Sequence, residues 1–191
     1  GGDDQVVVPT SESLDIKSAI TMMTWVNPGK NLLEDWRTVI GKSPTNVLSK
    51  ASFAYNLRTD KEGTFRFSLN MGGWQNIVGP KAGIGKWTHI ASTYDGKTMI
   101  LYLNGDADGE KPAKGKINLV PDPVGIGNIV DAGGAGKNEY WAGLLDEVKI
   151  WNRALSLKEV KEQMNFSQQD ILAVRPKNKL TTIWGQLKQK K

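Results

Sequence analysis

An aspartate stands where an alternating apolar pattern calls for a core residue. In the run Gly-Leu-Leu-Asp-Glu-Val-Lys-Ile-Trp at residues 143–151, strand side chains alternate between faces. Leu144, Val148 and Ile150 then share one face with Asp146, and Leu145, Glu147, Lys149 and Trp151 share the other. A carboxylate among apolar neighbours is costly unless it is paired, hydrogen-bonded or bound to a metal. Asp146 is therefore expected to be compensated, either by a loop amide or a basic side chain, or by a hard cation that takes oxygen ligands.

A second chemistry is suggested by tryptophan. The chain has seven, a high number for 191 residues. Trp36 and Trp74 lie near turns with polar neighbours, Asp35 beside the first and Asn76 close to the second. An indole offers an apolar platform with a polar edge, which suits the CH-rich face and hydroxyl rim of a sugar. Trp36, Trp74 and Asn76 are accordingly the candidate ligand-binding residues. The plain alternative is that these indoles cover the ends of a sandwich.

Other chemistry is sparse. Without cysteine there is no disulfide, thiol nucleophile or thiolate metal site. His89 is the only histidine, so histidine-pair metal binding is out of reach, and a packed, hydrogen-bonded imidazole is the expected role. The glycine-rich run at residues 131–136 lacks the following helix and Lys-Ser/Thr of a phosphate loop and reads as an inter-strand loop. Asp106 and Asp108 carry only part of a calcium-loop pattern and read as a solvated turn.

These residues are carried by short alternating segments. Strands are expected near 20–27, 52–57, 64–70, 87–94, 98–104 and 143–152, with weaker ones at 116–119 and 124–129. Asp95-Gly96 and Asn104-Gly105 are hairpin signals, the latter because both central residues of a type I′ turn need positive φ. Ser156-Leu-Lys-Glu159 is a capping box that starts one short helix, with Leu157, Val160 and Met164 at helical spacing. The expected fold class is all-β, a two-sheet antiparallel sandwich with one short C-terminal helix.

The order and content of these pieces carry a resemblance. Residues 3–16 resemble the opening strand, 19–28 the first long core strand, 85–105 the central hairpin and 143–156 the last strand of the laminin G-like, concanavalin A-like jelly roll, which is distantly akin to pentraxins. The likeness spans about residues 1–165. It implies a domain at 1–168 followed by a basic tail at 169–191. It also implies a structural Ca2+ where the first strand meets the last, held by Asp146 with Asp3 or Asp4 beside it. Trp25, Trp87, Trp141 and Trp151 match core or packing positions of the family. Laminarinase-type relatives place acids at alternating positions of one strand, as in Glu-x-Asp-x-x-Glu; no such run occurs here, so no catalytic centre is expected.

Charge divides the chain. The last 21 residues hold six basic groups and no acid, so the other 170 keep 19 of the 25 basic residues and all 20 acidic ones. A nearly neutral body argues against nucleic-acid binding, which rests on clustered Lys and Arg. The basic tail, with Trp184 and a possible apolar stripe at Leu180, Ile183 and Leu187, is suited to contact an anionic surface or a partner. No apolar run is long enough for membrane insertion. The function implied is a non-enzymatic carbohydrate-binding or adhesion module of a secreted or cell-envelope protein, whose partner is a glycan or a surface protein. Two other readings stay open: a protein-interaction or surface-display module with no sugar site, and a glycan-active enzyme with an unrecognised carboxylate pair.

Overall fold

The computed structural model describes residues 4–43, 53–130 and 139–166. Asp3, the glycine-rich run at 131–136 and the tail at 169–191 lie outside them. The described strands are β1 (Val6–Val8), β2 (Ile20–Pro28), β3 (Arg37–Lys42), β4 (Tyr55–Thr59), β5 (Thr64–Asn70), β6 (Trp74–Lys81), β7 (Thr88–Tyr94), β8 (Thr98–Leu103), β9 (Asp106–Pro112), β10 (Val124–Ile126) and β11 (Gly143–Trp151), followed by helix α1 (Leu157–Met164). They form a six-stranded sheet, β1-β10-β3-β4-β5-β6, and a five-stranded sheet, β11-β2-β7-β8-β9. Every strand pairing is antiparallel. The result is the expected jelly-roll sandwich.

Alternation builds the layer between the sheets. Tyr55 and Leu57 of β4 and Phe65, Phe67 and Leu69 of β5 face Ile20, Met22 and Val26 of β2, Ile90 and Tyr94 of β7, and Met99 and Leu101 of β8. A smaller cluster of Met23, Ala91, Tyr102, Leu155 and Val160 seats α1 on the outer side of the five-stranded sheet. Ser156 caps α1 as expected: its hydroxyl accepts from the Glu159 amide while the Glu159 carboxylate accepts from the Ser156 amide. Asn104 and Gly105 both have positive φ, 51° and 84°, and turn β8 into β9.

The structure departs from the sequence reading in four places. Residues 116–119 form no strand, although Ile117 still enters the core. β9 occupies the segment expected to be a solvated turn; it has no apolar stripe and is aligned by the tight turn before it. β3 and β6 join the six-stranded sheet without a clear period-2 signal.

The fourth departure is a bulge in β11. Asp146 pairs with Trp25 and Lys149 with Met23, so β11 carries one extra residue against β2 and the register shifts between them. Glu147 takes up the extra length at φ 50°, a left-handed conformation that is strained for a non-glycine residue. The parity flips there. Leu145, Val148 and Ile150 pack on the core, whereas Leu144 and Asp146 are exposed. Asp146 is therefore not among core residues, and its Oδ1 accepts from the Glu147 amide at 2.8 Å. Buried Thr24, opposite the bulge, donates its hydroxyl to the Asp146 carbonyl at 2.8 Å.

Thr24→Val keeps the shape but removes that donor. It is expected to lower unfolding stability by about 1–2 kcal/mol, read from the urea midpoint at unchanged slope.

His89, on the outer side of β7, is packed as expected but not fully hydrogen-bonded. It is 1% exposed, lies edge-on to Trp25 at 5.4 Å between ring centroids, and its Nδ1 has no partner among the described residues. Burial first, and the Lys149 charge second, push its pKa down to about 4 from an ordinary 6.5. A group whose folded pKa is depressed stabilises the fold above its unfolded pKa. Stability is therefore expected to fall by about 3 kcal/mol as pH drops from near 6.5 through 4, and to fall less in His89→Gln, in urea titrations across that range.

Candidate functional site

The outward side chains of the six-stranded sheet assemble a polar and aromatic face. Because Tyr55, Leu57 and Thr59 point one way, Asn56 and Arg58 point the other; because Phe65, Phe67 and Leu69 point inward, Arg66, Ser68 and Asn70 point outward. Register aligns them in rows. Thr38, Arg58, Arg66 and Val78 are successive cross-strand partners, as are Gly41, Asn56, Ser68 and Asn76. A Cβ on Gly41 would stand 3.3 Å from the Asn56 amide nitrogen, so glycine leaves this row room for the carboxamide.

Charges on this face are paired. Arg58 donates to Glu139 Oε1 at 3.3 Å, and Thr38 Oγ1 donates to Glu139 Oε2 at 2.7 Å. Arg66 meets Asp60 Oδ2 at 2.7 Å. Burial pushes the Asp60 carboxyl up, but the amides of Thr64 and Glu62 and the Arg66 guanidinium outweigh it and hold the group below the usual carboxylate range. Burial pulls Arg58 down and Glu139 opposes the shift, which still leaves a guanidinium that is charged at neutral pH.

Aromatic rings continue the face. Arg58 lies over the Trp36 ring at 4.2 Å and over Phe53 at 5.7 Å, and Phe53 meets Trp74 at 5.2 Å. The string Trp36–Arg58–Phe53–Trp74 thus brings the two sequence-predicted indoles to one face, with Asn76 exposed two residues beyond Trp74. One side of Trp36 is already engaged by a guanidinium. The sequence reading missed Asn56, Arg58, Arg66 and Ser68, although the period-2 pattern of their strands could have shown them. Glu139 follows the glycine-rich run and carried no signal.

The middle of the second row is buried. Asn56 and Ser68 are each 1% exposed, and among the described residues neither the Asn56 carboxamide nor the Ser68 hydroxyl has a hydrogen-bond partner. A buried polar group without a partner loses about 1–3 kcal/mol. Two adjacent ones call for an enclosed bridging water, since atoms this buried are out of reach of a ligand on the surface.

Of the carboxylates expected to hold a calcium ion, Asp3 lies outside the described residues, and Asp4 and Asp146 line different clefts. Asp4 lines an apolar cleft with Val6, Trp141, Leu145 and Val148, between the β1 and β11 edges. Asp146 lines a different cleft with Trp25 and Trp87. Calcium takes six to eight oxygens, and no three His, Cys, Asp or Glu side chains converge among the described residues.

Residues 1–161 match the laminin G-type family described as the concanavalin A-like lectin/glucanases superfamily. The chain belongs to this superfamily. Among solved structures, a putative carbohydrate-binding protein from Bacteroides ovatus superposes with a TM-score of 0.66 at 18% identity, covering 84% of this chain and 44% of that one. Domain 4 of AbnA, an extracellular arabinanase from Geobacillus stearothermophilus in complex with arabinotriose, gives 0.61 at 18% identity, covering 85% and 73%. A heptameric SAP-like pentraxin from Limulus polyphemus gives 0.55 at 18% identity, covering 82% and 79%. These likenesses concern the fold. In sequence, mouse (Mus musculus) pappalysin-1 is 29% identical over 82 residues, 42% of this superfamily member but only 5% of that protein.

Arg58→Met is expected to destabilise by about 2–4 kcal/mol, because it leaves the largely buried Glu139 carboxylate without its cation. Urea unfolding of the Arg58→Met, Glu139→Gln cycle is expected to show coupling of about 1–3 kcal/mol.

Proposed function

We propose that this domain is a non-enzymatic carbohydrate-binding module of a secreted or cell-envelope protein, and that the glycan lies on the outer face of the six-stranded sheet. The observation that carries this reading is the string Trp36–Arg58–Phe53–Trp74 with exposed Asn76 at its end. A polyhydroxylated ligand offers donors and acceptors to exposed Asn76, directly or through water, and an indole packs against its CH face. Superfamily neighbours described as binding carbohydrate support the same reading, among them the domain bound to arabinotriose. With its acids tied to arginines, the face favours a neutral or weakly charged sugar.

The same pairing supports a binding rather than a catalytic role. A general acid needs a carboxyl held neutral near working pH, whereas Asp60 is kept ionised by its amides and Arg66. Among the described residues no helix is long and apolar enough to cross a membrane.

The test is a glycan array probed with the full chain, followed by titration of the strongest hit. Trp74→Ala and Asn76→Ala, both at the accessible end of the face, are each expected to weaken binding by about tenfold or more, the scale of one lost stacking or hydrogen-bonding contact. No glycan hit, or hits indifferent to both variants, would remove the reading. Release of reducing sugar that Glu139→Gln abolishes would replace it with an enzymatic one.

A further inference from the structure

The opposite face of the sandwich holds a second cleft, unrelated to the polar rows. It lies outside the five-stranded sheet, where β2, β7 and β11 meet the end of α1, and has a volume of about 360 Å3. Trp25, Trp87, Asp146, Glu147, Met164 and Phe166 are among its lining residues. That volume is within the roughly 300–1,000 Å3 of small-molecule sites. Trp87 is 46% exposed and Phe166 40%, an unusual display of large rings for a surface that packs against nothing else described.

The electrostatics are one-sided. Lys149 bonds Glu147 at 3.1 Å and donates to the carbonyls of Gln163 and Phe166 at 2.9 and 2.7 Å, so its charge is locally satisfied. Among the described residues the Asp146 carboxylate accepts only the Glu147 amide and meets no basic side chain. His89, behind Trp25, is neutral at physiological pH and adds no charge. Among the described residues the cleft therefore carries one carboxylate without a basic partner beside the rings of Trp25 and Trp87, while the third ring, Phe166, already has Lys149 Nζ at 5.9 Å from its centroid. Its geometry depends on the bulge: without the left-handed Glu147, Asp146 would point into the core. A strained residue that re-aims a side chain into a cleft is a recurrent mark of a binding site.

We propose that this cleft binds a small organic cation of the trimethylammonium type, with its methyl groups against Trp25 and Trp87 and its charge facing Asp146. Such a cation is weakly hydrated, is attracted by indole faces and cannot donate hydrogen bonds, so it needs no polar ring of acceptors. A primary ammonium or a metal ion would need more oxygens than the cleft supplies. The proposal does not depend on glycan binding at the other sheet.

Choline is the probe, titrated into the full chain by calorimetry, with its neutral isostere 3,3-dimethylbutan-1-ol as control. Saturable choline binding is expected, with the isostere at least about fivefold weaker, since the cation–π and carboxylate contributions sum to roughly 1 kcal/mol or more. Trp87→Ala and Asp146→Asn, both solvent-facing changes, are expected to reduce choline affinity at least about threefold each, whereas Asn76→Ala leaves it unchanged. Sedimentation with phosphatidylcholine vesicles, competed by choline, would assign the cation to a lipid headgroup; choline binding without sedimentation would assign it to a free molecule. Absent saturation, equal affinity for the isostere, or indifference to both cleft variants would overturn the proposal.

Discussion

The apolar layer shared by the two sheets sets the direction of every outward side chain. Each strand can bury only alternate residues, so placing Leu57, Phe67 or Ile90 in the core forces Arg58, Arg66 and His89 to the outside. Neither outer face is designed independently of the core. A slip of one residue would exchange the polar rows of the six-stranded sheet for its aromatic core. The same constraint explains the bulge in β11. Leu145, Val148 and Ile150 cannot all face inward on a regular strand, because the first is an odd number of residues from the other two. One inserted residue reconciles them, and the Thr24 hydroxyl takes up the displaced carbonyl.

The two faces solve charge in different ways. On the six-stranded side, arginine and carboxylate are matched pair by pair, with guanidinium planes also spent on aromatic rings. What is left over there is hydrogen-bonding capacity. On the five-stranded side, hydrogen bonds are satisfied around Lys149 and what is left over is a single carboxylate beside exposed rings. Unused polarity without charge suits sugars, and unused charge with aromatic surface suits a cation. Distinct ligand classes can thus be separated by a layer of hydrocarbon only two side chains thick.

Much of the fold was legible in the sequence because it rests on local rules. Period-2 alternation located β2, β5, β7 and β8, the Asn104-Gly105 turn required its own geometry, and the Ser156–Glu159 box named the start of α1. What escaped reading was imposed from outside the segment. β9 has the composition of a loop and becomes a strand because β8 offers it a free edge. Ile117 is core without being in a strand. The site was half legible. Trp36, Trp74 and Asn76 fall on one face as parity and turn context allowed, but Glu139 reaches Arg58 across 81 residues of chain, a distance no local pattern reports. Asp146 misled for the opposite reason. Its parity was read correctly for a regular strand, and the strand is not regular.

One edge of the sandwich has a kinetic meaning. β1 contributes three residues, and their partners in β10 lie about 120 positions away, Val6 opposite Ile126 and Val8 opposite Val124. Closing so long a loop for a three-residue ladder returns little free energy per residue ordered, so β1 joins late and leaves early. Val6 and Val7 stay exposed and hold it weakly. Its amides therefore belong to the fast-exchanging class, opening while β2, β5 and β7 remain protected. Each opening uncovers the apolar cleft against β11 and bares a valine-rich edge, so this corner is where a destabilised copy of the chain would first pair with another.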